Sequence, residues 1–397
     1  MSLEASAVWN ECLRVIEQHV NEQSFSTWFK PINPIKLEGS SLTIQVPSQF
    51  FYEWLEDNYV EVLKLAIKTT LGQNGRLEYA VVVDRGNSQN QPYMVSYPQR
   101  DLILRRPPFG HKAKGAHDMA REFRIQQALK PVYPAVPTMV ALCEDHSVMG
   151  CDFYLMDRIK GIIPRANLPK GLNLSEAQTR QLCQGVIDKL IELHQVDYQA
   201  AGLDHIGKGG GYVKRQITGW SDRYDKSKTW NVPGWQYVRD WLNANMPDDV
   251  GTVIIHNDYR MDNLVLDADD PQKIIGVLDW EMATLGDPLM DLGNSLAYWV
   301  QADDDPIFQL MRRQPTNAPG MMTRDDVVAY YGEKTGWKVD NFDFYLVYGL
   351  FRLAGIAQQI WYRYYHQQTT NPAFAQFGNM VNYLEKRCQK LIAASAL

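Results

Sequence analysis

The sequence predicts an α+β chain of more than one domain, and three observations carry that expectation. Stretches of period-two apolar alternation are interleaved with stretches of helical periodicity. A polar run rich in Gly, Asn and Pro, RGNSQNQP from Arg85 to Pro92, interrupts them as turn or linker chemistry. The chain has 397 residues of which 45% are hydrophobic, more than one ordinary core requires.

From Val8 to about His19 the apolar spacing is helical, and SFSTWF follows with Phe25, Trp28 and Phe29 close together. Pro31 and Pro34 break that pattern. SLTIQV alternates Leu42, Ile44 and Val46 on one face, a half-buried strand that Pro47 stops. Ser48 can cap the next helix, whose stripe is Phe51, Trp54, Leu55, Tyr59, Val62, Leu63, Ala66 and Ile67. LEYAVVV then alternates through Leu77, Tyr79, Val81 and Val83, giving a small unit of α-α-β-β-α-β or similar order. After the linker, DLILRR reads as a strand, HDMAREFRIQQAL as a helix and CDFYLMDRI as a strand. Beyond Gly161 the chain turns mostly helical. Ser175 with Gln178 and Thr323 with Asp326 make capping boxes, and Asn341 to His366 is a long aromatic-rich helix.

A formal net charge of -6 argues against broad coating of nucleic acid, so no direct DNA binding is expected. The five cysteines show no C-x-x-C spacing, which fits a reducing cytoplasm and neither a disulfide framework nor a zinc site. No apolar stretch approaches the roughly 20 residues that span a bilayer.

The chemistry concentrates in VIIHNDYRMDNLVLD, Val253 to Asp267, where His256, Asp258 and Asn263 interrupt apolar sequence. Sixteen residues after Asn263 a second apolar run, KIIGVLDWE, delivers Asp279. Two carboxylates and a carboxamide between short strands suit phosphoryl transfer. One Asp accepts or orients the acceptor hydroxyl, while an Asn and another Asp hold magnesium against nucleotide phosphates. The plain alternative is a capped β-hairpin whose Asp and Asn serve its turns. Asp279 and the following TLGDPLMDLG, with Asp287 and Asp291, favour the chemical reading. GKGGG, Gly207 to Gly211, is no P-loop, because no strand precedes it and no G-K-[ST] opens a helix; it reads as a flexible substrate-side loop. Arg215, Trp220 and Arg223 beside it, with Arg352 and Arg363 on the C-terminal helix, read almost equally as an anionic-substrate cluster or as arginines that snorkel or pair with local acids.

HNDYRMDNLVLD and VLDWEMATLGDPLMDLG resemble the paired signatures of the aminoglycoside phosphotransferase and choline kinase superfamily. LILRRPPFG, AHDMAREFRI and GYVKRQITGWSDRY are similar to the branch that also occurs fused to acyl-CoA dehydrogenases. The resemblance covers about Tyr93 to Leu397. It implies a protein-kinase-like two-lobed fold, a partial N-lobe at 93–160 and a mostly helical C-lobe at 161–397, using ATP and Mg2+. By that likeness Asp258 is the catalytic base, His256 a support of its loop, and Arg260 a partner of phosphate or substrate. Asn263 and Asp279 are the metal ligands, Asp291 braces the loop, and Asp287 lends structural support. Arg105 takes the place of the phosphate-contacting strand lysine with Glu122 as its helix partner, a departure that demands a broader, planar contact. Arg105 rather than Arg106 follows from alternation along the strand. Glu122 as a plain i,i+4 surface residue is the alternative. Met156, Asp157, Arg158 and Ile159 would form the hinge whose backbone reads the adenine, and Glu281 joins the substrate candidates. The implied acceptor is a small hydroxylated molecule of hydroxyacyl or hydroxyacyl-CoA type.

VWNECLRVIEQHVNEQSFSTWFKPI, LTIQVPSQFFYEWLEDNY and RLEYAVVVD resemble the N-terminal domain of the bacterial replication initiator DnaA. The likeness implies a KH-like protein-interaction module at 1–84, docking a helicase-like partner through residues 7–84, followed by a linker at 85–92. Kinases of this branch begin with a glycine-rich loop of the GGHSN kind. Here the DnaA-like segment stands in its place, with Gly86-Asn87-Ser88 a partial substitute, which implies lowered activity. The rival reading is a non-catalytic binding protein whose DnaA-like module docks a replication partner.

Overall fold

The computed structural model describes residues 3–30, 32–46, 49–81, 93–97, 100–107, 117–169, 171–369 and 371–397. The expected linker at 85–92, the Ser48 cap, Val83, Pro31, Pro47 and the Gly86-Asn87-Ser88 tripeptide lie outside the described residues. The chain divides into two compact units.

The first unit runs α1 (Leu3–Glu17), α2 (Glu22–Trp28), β1 (Asn33–Glu38), β2 (Ser41–Val46), α3 (Gln49–Leu71) and β3 (Arg76–Val81). Its sheet has the order β1-β2-β3, antiparallel between β1 and β2 and parallel between β2 and β3. Pro34, which breaks helical periodicity, sits in the edge strand β1 beside a register shift, where a missing N–H costs no ladder bond. Leu42, Ile44 and Val46 bury one face of β2 against Trp9, Phe29 and Leu63. Phe25 and Phe29 belong to this core, and Trp28 is partly buried.

The second unit begins with a four-stranded antiparallel sheet of β4 (Tyr93–Tyr97), β5 (Arg100–Arg105), β6 (Met139–Cys143) and β7 (Phe153–Asp157), in the order β4-β5-β7-β6. The helix α4 (Met119–Leu129) starts at Asp118, whose carboxylate accepts the Arg121 N–H. It packs Met119 and Phe123 on Tyr154 and Met156 of that sheet. The single turn α5 (His146–Met149) links β6 to β7.

The helical body comprises α6 (Glu176–His194), α7 (Tyr212–Ser227), α8 (Gln236–Ala244), α9 (Pro288–Leu296), α10 (Pro306–Leu310), α11 (Arg324–Thr335), α12 (Asp343–Tyr365) and α13 (Phe377–Ala394). Ser175–Gln178 and Thr323–Asp326 form capping boxes at α6 and α11. Where α9 crosses α12, glycines allow backbone to meet backbone: a Cβ at Gly293 would strike the Tyr345 carbonyl, and one at Gly349 the Gly293 carbonyl. Two ribbons lie between α8 and α9. In one, β8 (Val253–Ile255) pairs with β11 (Thr284–Gly286); in the other, β9 (Leu264–Leu266) pairs with β10 (Ile274–Val277). Since β8 and β9 pair with other strands, the plain hairpin alternative for Val253 to Asp267 does not form.

Asp287 fastens this region. Its carboxylate caps α9 by accepting the Leu289 and Met290 N–H groups at 2.9 and 3.0 Å, and it accepts the Val250 N–H at 2.7 Å. Burial dominates and lifts its pKa from 3.8 to about 6, the backbone donors pulling the other way. Between those values the native state holds the proton more firmly than the unfolded chain, so this group's contribution to stability falls as pH rises. Relative to Asp287→Asn, wild-type stability in urea should decline by about 2 kcal/mol from pH 4 to pH 6. A difference that is flat, or that grows with pH, contradicts the burial argument.

Candidate active site

The strand β8 ends at Ile255 and delivers His256, Asn257 and Asp258 into a loop that one carboxylate holds. Asp291, in the first turn of α9, accepts the His256 N–H at 2.9 Å and the Asn257 N–H at 2.7 Å. His194 Nε2 lies 3.1 Å from the same carboxylate, and its Nδ1 is 2.7 Å from the Tyr331 hydroxyl. Asp291 is 0% exposed. Burial alone would raise its pKa, but the bond to His194 with that ring's charge, and the His256 N–H donor, hold it below the usual value. His256 is itself buried, with Nε2 2.9 Å from the Leu278 carbonyl and Nδ1 3.3 Å from the Asp258 N–H. Its ring meets Trp280 edge-on, centroids 4.9 Å apart. With a carbonyl at Nε2 and a donor at Nδ1, the satisfied tautomer is neutral with its proton on Nε2.

Asn263 closes the loop. Its Nδ2 donates to the Asp258 carbonyl at 2.9 Å and to Asp258 Oδ2 at 3.2 Å. Arg260 reaches Asp258 Oδ1 at 2.8 Å and Asp262 Oδ1 at 2.8 Å, with its guanidinium 4.7 Å from the Tyr298 ring centre. Burial raises the Asp258 pKa above 3.8 although Arg260 and Arg352 oppose it. The β9–β10 ribbon explains the sixteen-residue spacing: Leu264 pairs with Val277, the Leu278 N–H donates to the Asn263 carbonyl at 2.8 Å, and Asp279 follows at the same end. Asp279 adopts a left-handed conformation at φ 69°, uncommon outside Gly, Asn and Asp and one that clusters at functional sites.

Arg105, at the end of β5, is 6% exposed. Its NH2 group lies 2.7 Å from Asp279 Oδ1 and 3.4 Å from Glu281 Oε2. Its Nε is 3.0 Å from Glu122 Oε1, an ionic contact without hydrogen-bond alignment. Burial works against the guanidinium charge, but the surrounding Glu122, Tyr154 and Asp279 outweigh it and raise the Arg105 pKa. Burial is also the leading influence on Glu122, lifting its carboxyl to about 7 against the pull of Arg105. Glu122 is therefore a buried partner of Arg105 and not a surface helix residue. His117, which sequence patterning did not single out, puts Nδ1 2.9 Å from Glu281 Oε2.

At the expected hinge, the Asp157 N–H donates to the Thr138 carbonyl and the Arg158 N–H to Asp101, while Met156 lies within the β5–β7 ladder. The backbone of Ile159 has no backbone partner among the described residues. The arginines of the substrate cluster separate. Arg352, buried, donates from NH2 to the Asn257 carbonyl at 2.8 Å and stands 5.4 Å from the Trp220 ring; Arg223 lies 4.7 Å from the same ring. Arg215 does not join them. Its guanidinium is spent on the Gly209 and Gly210 carbonyls, so GKGGG is a tied segment leading into α7 at Gly211 and not a free loop. Arg363 is exposed near the end of α12. Asn257, His194, Tyr331 and Trp280 also escaped sequence reasoning; only Asn257, a residue that tolerates left-handed backbone at a strand end, carried a local signal.

Known proteins resemble both parts of the chain. The family model described as phosphotransferase enzyme family matches residues 81–326, and the DnaA N-terminal domain model matches residues 6–69. Acyl-CoA dehydrogenase family member 10 of Mus musculus is 34% identical over 299 residues, covering 75% of this chain and 28% of that protein. The chain thus spans little more than a quarter of that relative's length. Chromosomal replication initiator protein DnaA of Chlorobaculum tepidum is 45% identical over 138 residues, 32% of this chain and 27% of that protein. A solved structure of a putative aminoglycoside phosphotransferase from Ralstonia eutropha superposes with a TM-score of 0.67 at 29% identity, covering 78% of this chain and 92% of that one. With its Asp258 loop, its Asp279 turn and its Arg105–Glu122 pair set in that kinase-like fold, the chain belongs to the phosphotransferase enzyme family and carries a DnaA-type N-terminal domain ahead of it.

Proposed function

We propose that the chain is an ATP-dependent phosphotransferase acting on the hydroxyl of a small molecule. The observation that supports it most is the closed loop in which Asn263 holds Asp258 while the adjoining ribbon brings Asp279 to the same end. Asp258, its side chain about one-fifth open at 21%, takes the proton of the acceptor hydroxyl as that oxygen attacks the γ-phosphorus and ADP leaves. Its raised pKa suits a base better than an ordinary aspartate would. Arg105, held by Glu122, meets the nucleotide phosphates, and the Ile159 backbone at the hinge is open to an adenine.

The residues fit Mg2+. Asn263 spends its Nδ2 on Asp258, leaving its side-chain Oδ1 available, and among the described residues Asp279 spends only Oδ1, on Arg105. Hard oxygen donors in small number are what magnesium takes alongside phosphates and waters. When bound, the metal would neutralise charge on the transferring phosphate.

The acceptor class is a hydroxyacyl or hydroxyacyl-CoA compound, supported by the names of the acyl-CoA dehydrogenase relatives and by Arg352, Trp220 and Arg223 beside the Asp258 loop. The chain is divided as 1–84, 85–92, 93–160 and 161–397: a KH-like interaction domain, a linker, a partial N-lobe and a C-lobe. Its location is the cytoplasm, in keeping with five unpaired cysteines. No helix among the described residues is long and apolar enough to cross a membrane.

With Mg·ATP and a panel of hydroxy acids and hydroxyacyl-CoA esters, ADP release should depend on the acceptor. Asp258→Asn should lower kcat by about 10²- to 10⁴-fold with nucleotide affinity little changed. Turnover indifferent to Asp258→Asn rejects the assignment. For the first unit, which has its own core, residues 1–84 expressed alone should unfold cooperatively and bind a replicative helicase. A folded fragment without helicase affinity removes the docking role.

A further inference from the structure

Asn257 makes a hydrogen bond through every polar group it has. Its N–H donates to Asp291 and its carbonyl accepts from Arg352 at 2.8 Å. Its side-chain Oδ1 accepts from the Tyr212 hydroxyl at 3.0 Å and from Asn294 Nδ2 at 3.2 Å, and its Nδ2 donates to the Met282 carbonyl at 3.1 Å. Those partners come from α7, α9, α12 and the turn that follows Asp279. The residue is 7% exposed and sits at φ 64°.

These facts restrict what could occupy the position. Left-handed backbone favours Gly, Asn and Asp. Gly has no side chain to bridge with. Asp would set a carboxylate against the Met282 carbonyl, acceptor against acceptor. A carboxamide both donates and accepts at that length. The turn it grips is held from its other side by Arg121, whose NH2 donates to the Ala283 carbonyl at 2.6 Å. A residue adjoining Asp258 in sequence therefore clamps the turn that begins at Asp279.

We infer that Asn257 is a positioning residue whose side chain locks the Asp258 loop and the Asp279–Ala283 turn into one geometry, so that the base and the carboxylate opposite it keep a fixed separation. The role in turnover rests on the phosphotransfer reading; the mechanical coupling does not.

The test uses the full chain without ligand and reads amide hydrogen exchange in peptides covering 256–263 and 279–284. Asn257→Gly keeps the backbone conformation and removes the bridge. Exchange should accelerate at least tenfold in both segments, with α9 and α12 peptides unchanged. Asn257→Asp, which keeps size and left-handed tolerance, should loosen 279–284 as well and serves if the glycine variant does not fold. Protection of 279–284 at the wild-type level in either folded variant overturns the inference and leaves Asn257 a residue chosen for its backbone alone. In the transfer assay, kcat per folded molecule, counted by active-site or circular-dichroism titration, should fall at least tenfold with KM for ATP within threefold; a fall that disappears after that normalisation reports only loss of folded protein and removes the role in turnover. A wild-type chain inactive toward every acceptor would reject the phosphotransferase proposal while the exchange result still decides the coupling.

Discussion

The loop that carries Asp258 depends on one wholly buried carboxylate. A charge without water is costly unless donors surround it, and Asp291 has the His256 and Asn257 N–H groups and the His194 ring on it. Its place in the first turn of α9 adds the favourable end of the helix dipole. Two residues further on, Gly293 gives α12 room to come against α9, and α12 brings Arg352 to the Asn257 carbonyl. Carboxylate, glycine and arginine thus act together: the first fixes two N–H groups of the loop, and the last fixes the carbonyl between them and Asp258.

Electrostatic pairing sets the remaining geometry. Arg260 stands between Asp258 and Asp262, and Arg105 gathers Glu122, Asp279 and Glu281. A planar guanidinium with several donors can serve three carboxylates in different directions, which a lysine ammonium at that strand position would do less well. Removing Arg105 would leave Glu122, whose side chain is 2% exposed, buried and uncompensated, a loss of about 3–5 kcal/mol for a buried pair. The clamp at Asn257 adds uncharged bonds to this charged framework and ties its two halves.

Sequence periodicity made most elements legible because each amphipathic segment meets a core on one side. Leu42, Ile44 and Val46 are buried on the face their alternation marks, and the capping boxes at Ser175 and Thr323 begin helices where their spacing puts them. His256, Asp258, Asn263 and Asp279 stood out because polar residues in apolar strands need a reason. What brings them together was not legible. The pairing of β8 with β11 reaches across the β9–β10 ribbon that lies between them in the chain, and His194, backed by Tyr331, reaches Asp291 from a distant helix. Arg215 stayed open between two readings because a run of basic and aromatic residues on one helix says nothing about which carbonyls lie within reach.

A calorimetric titration of Mg2+ into the full chain, with and without a non-hydrolysable ATP analogue, tests the central assignment most directly. Two oxygen donors cannot strip magnesium of its waters unaided, so binding should be weak alone, strengthen with the nucleotide, and be lost in Asp279→Asn. Tight magnesium binding to the nucleotide-free chain, or nucleotide-dependent binding that survives Asp279→Asn, would contradict it.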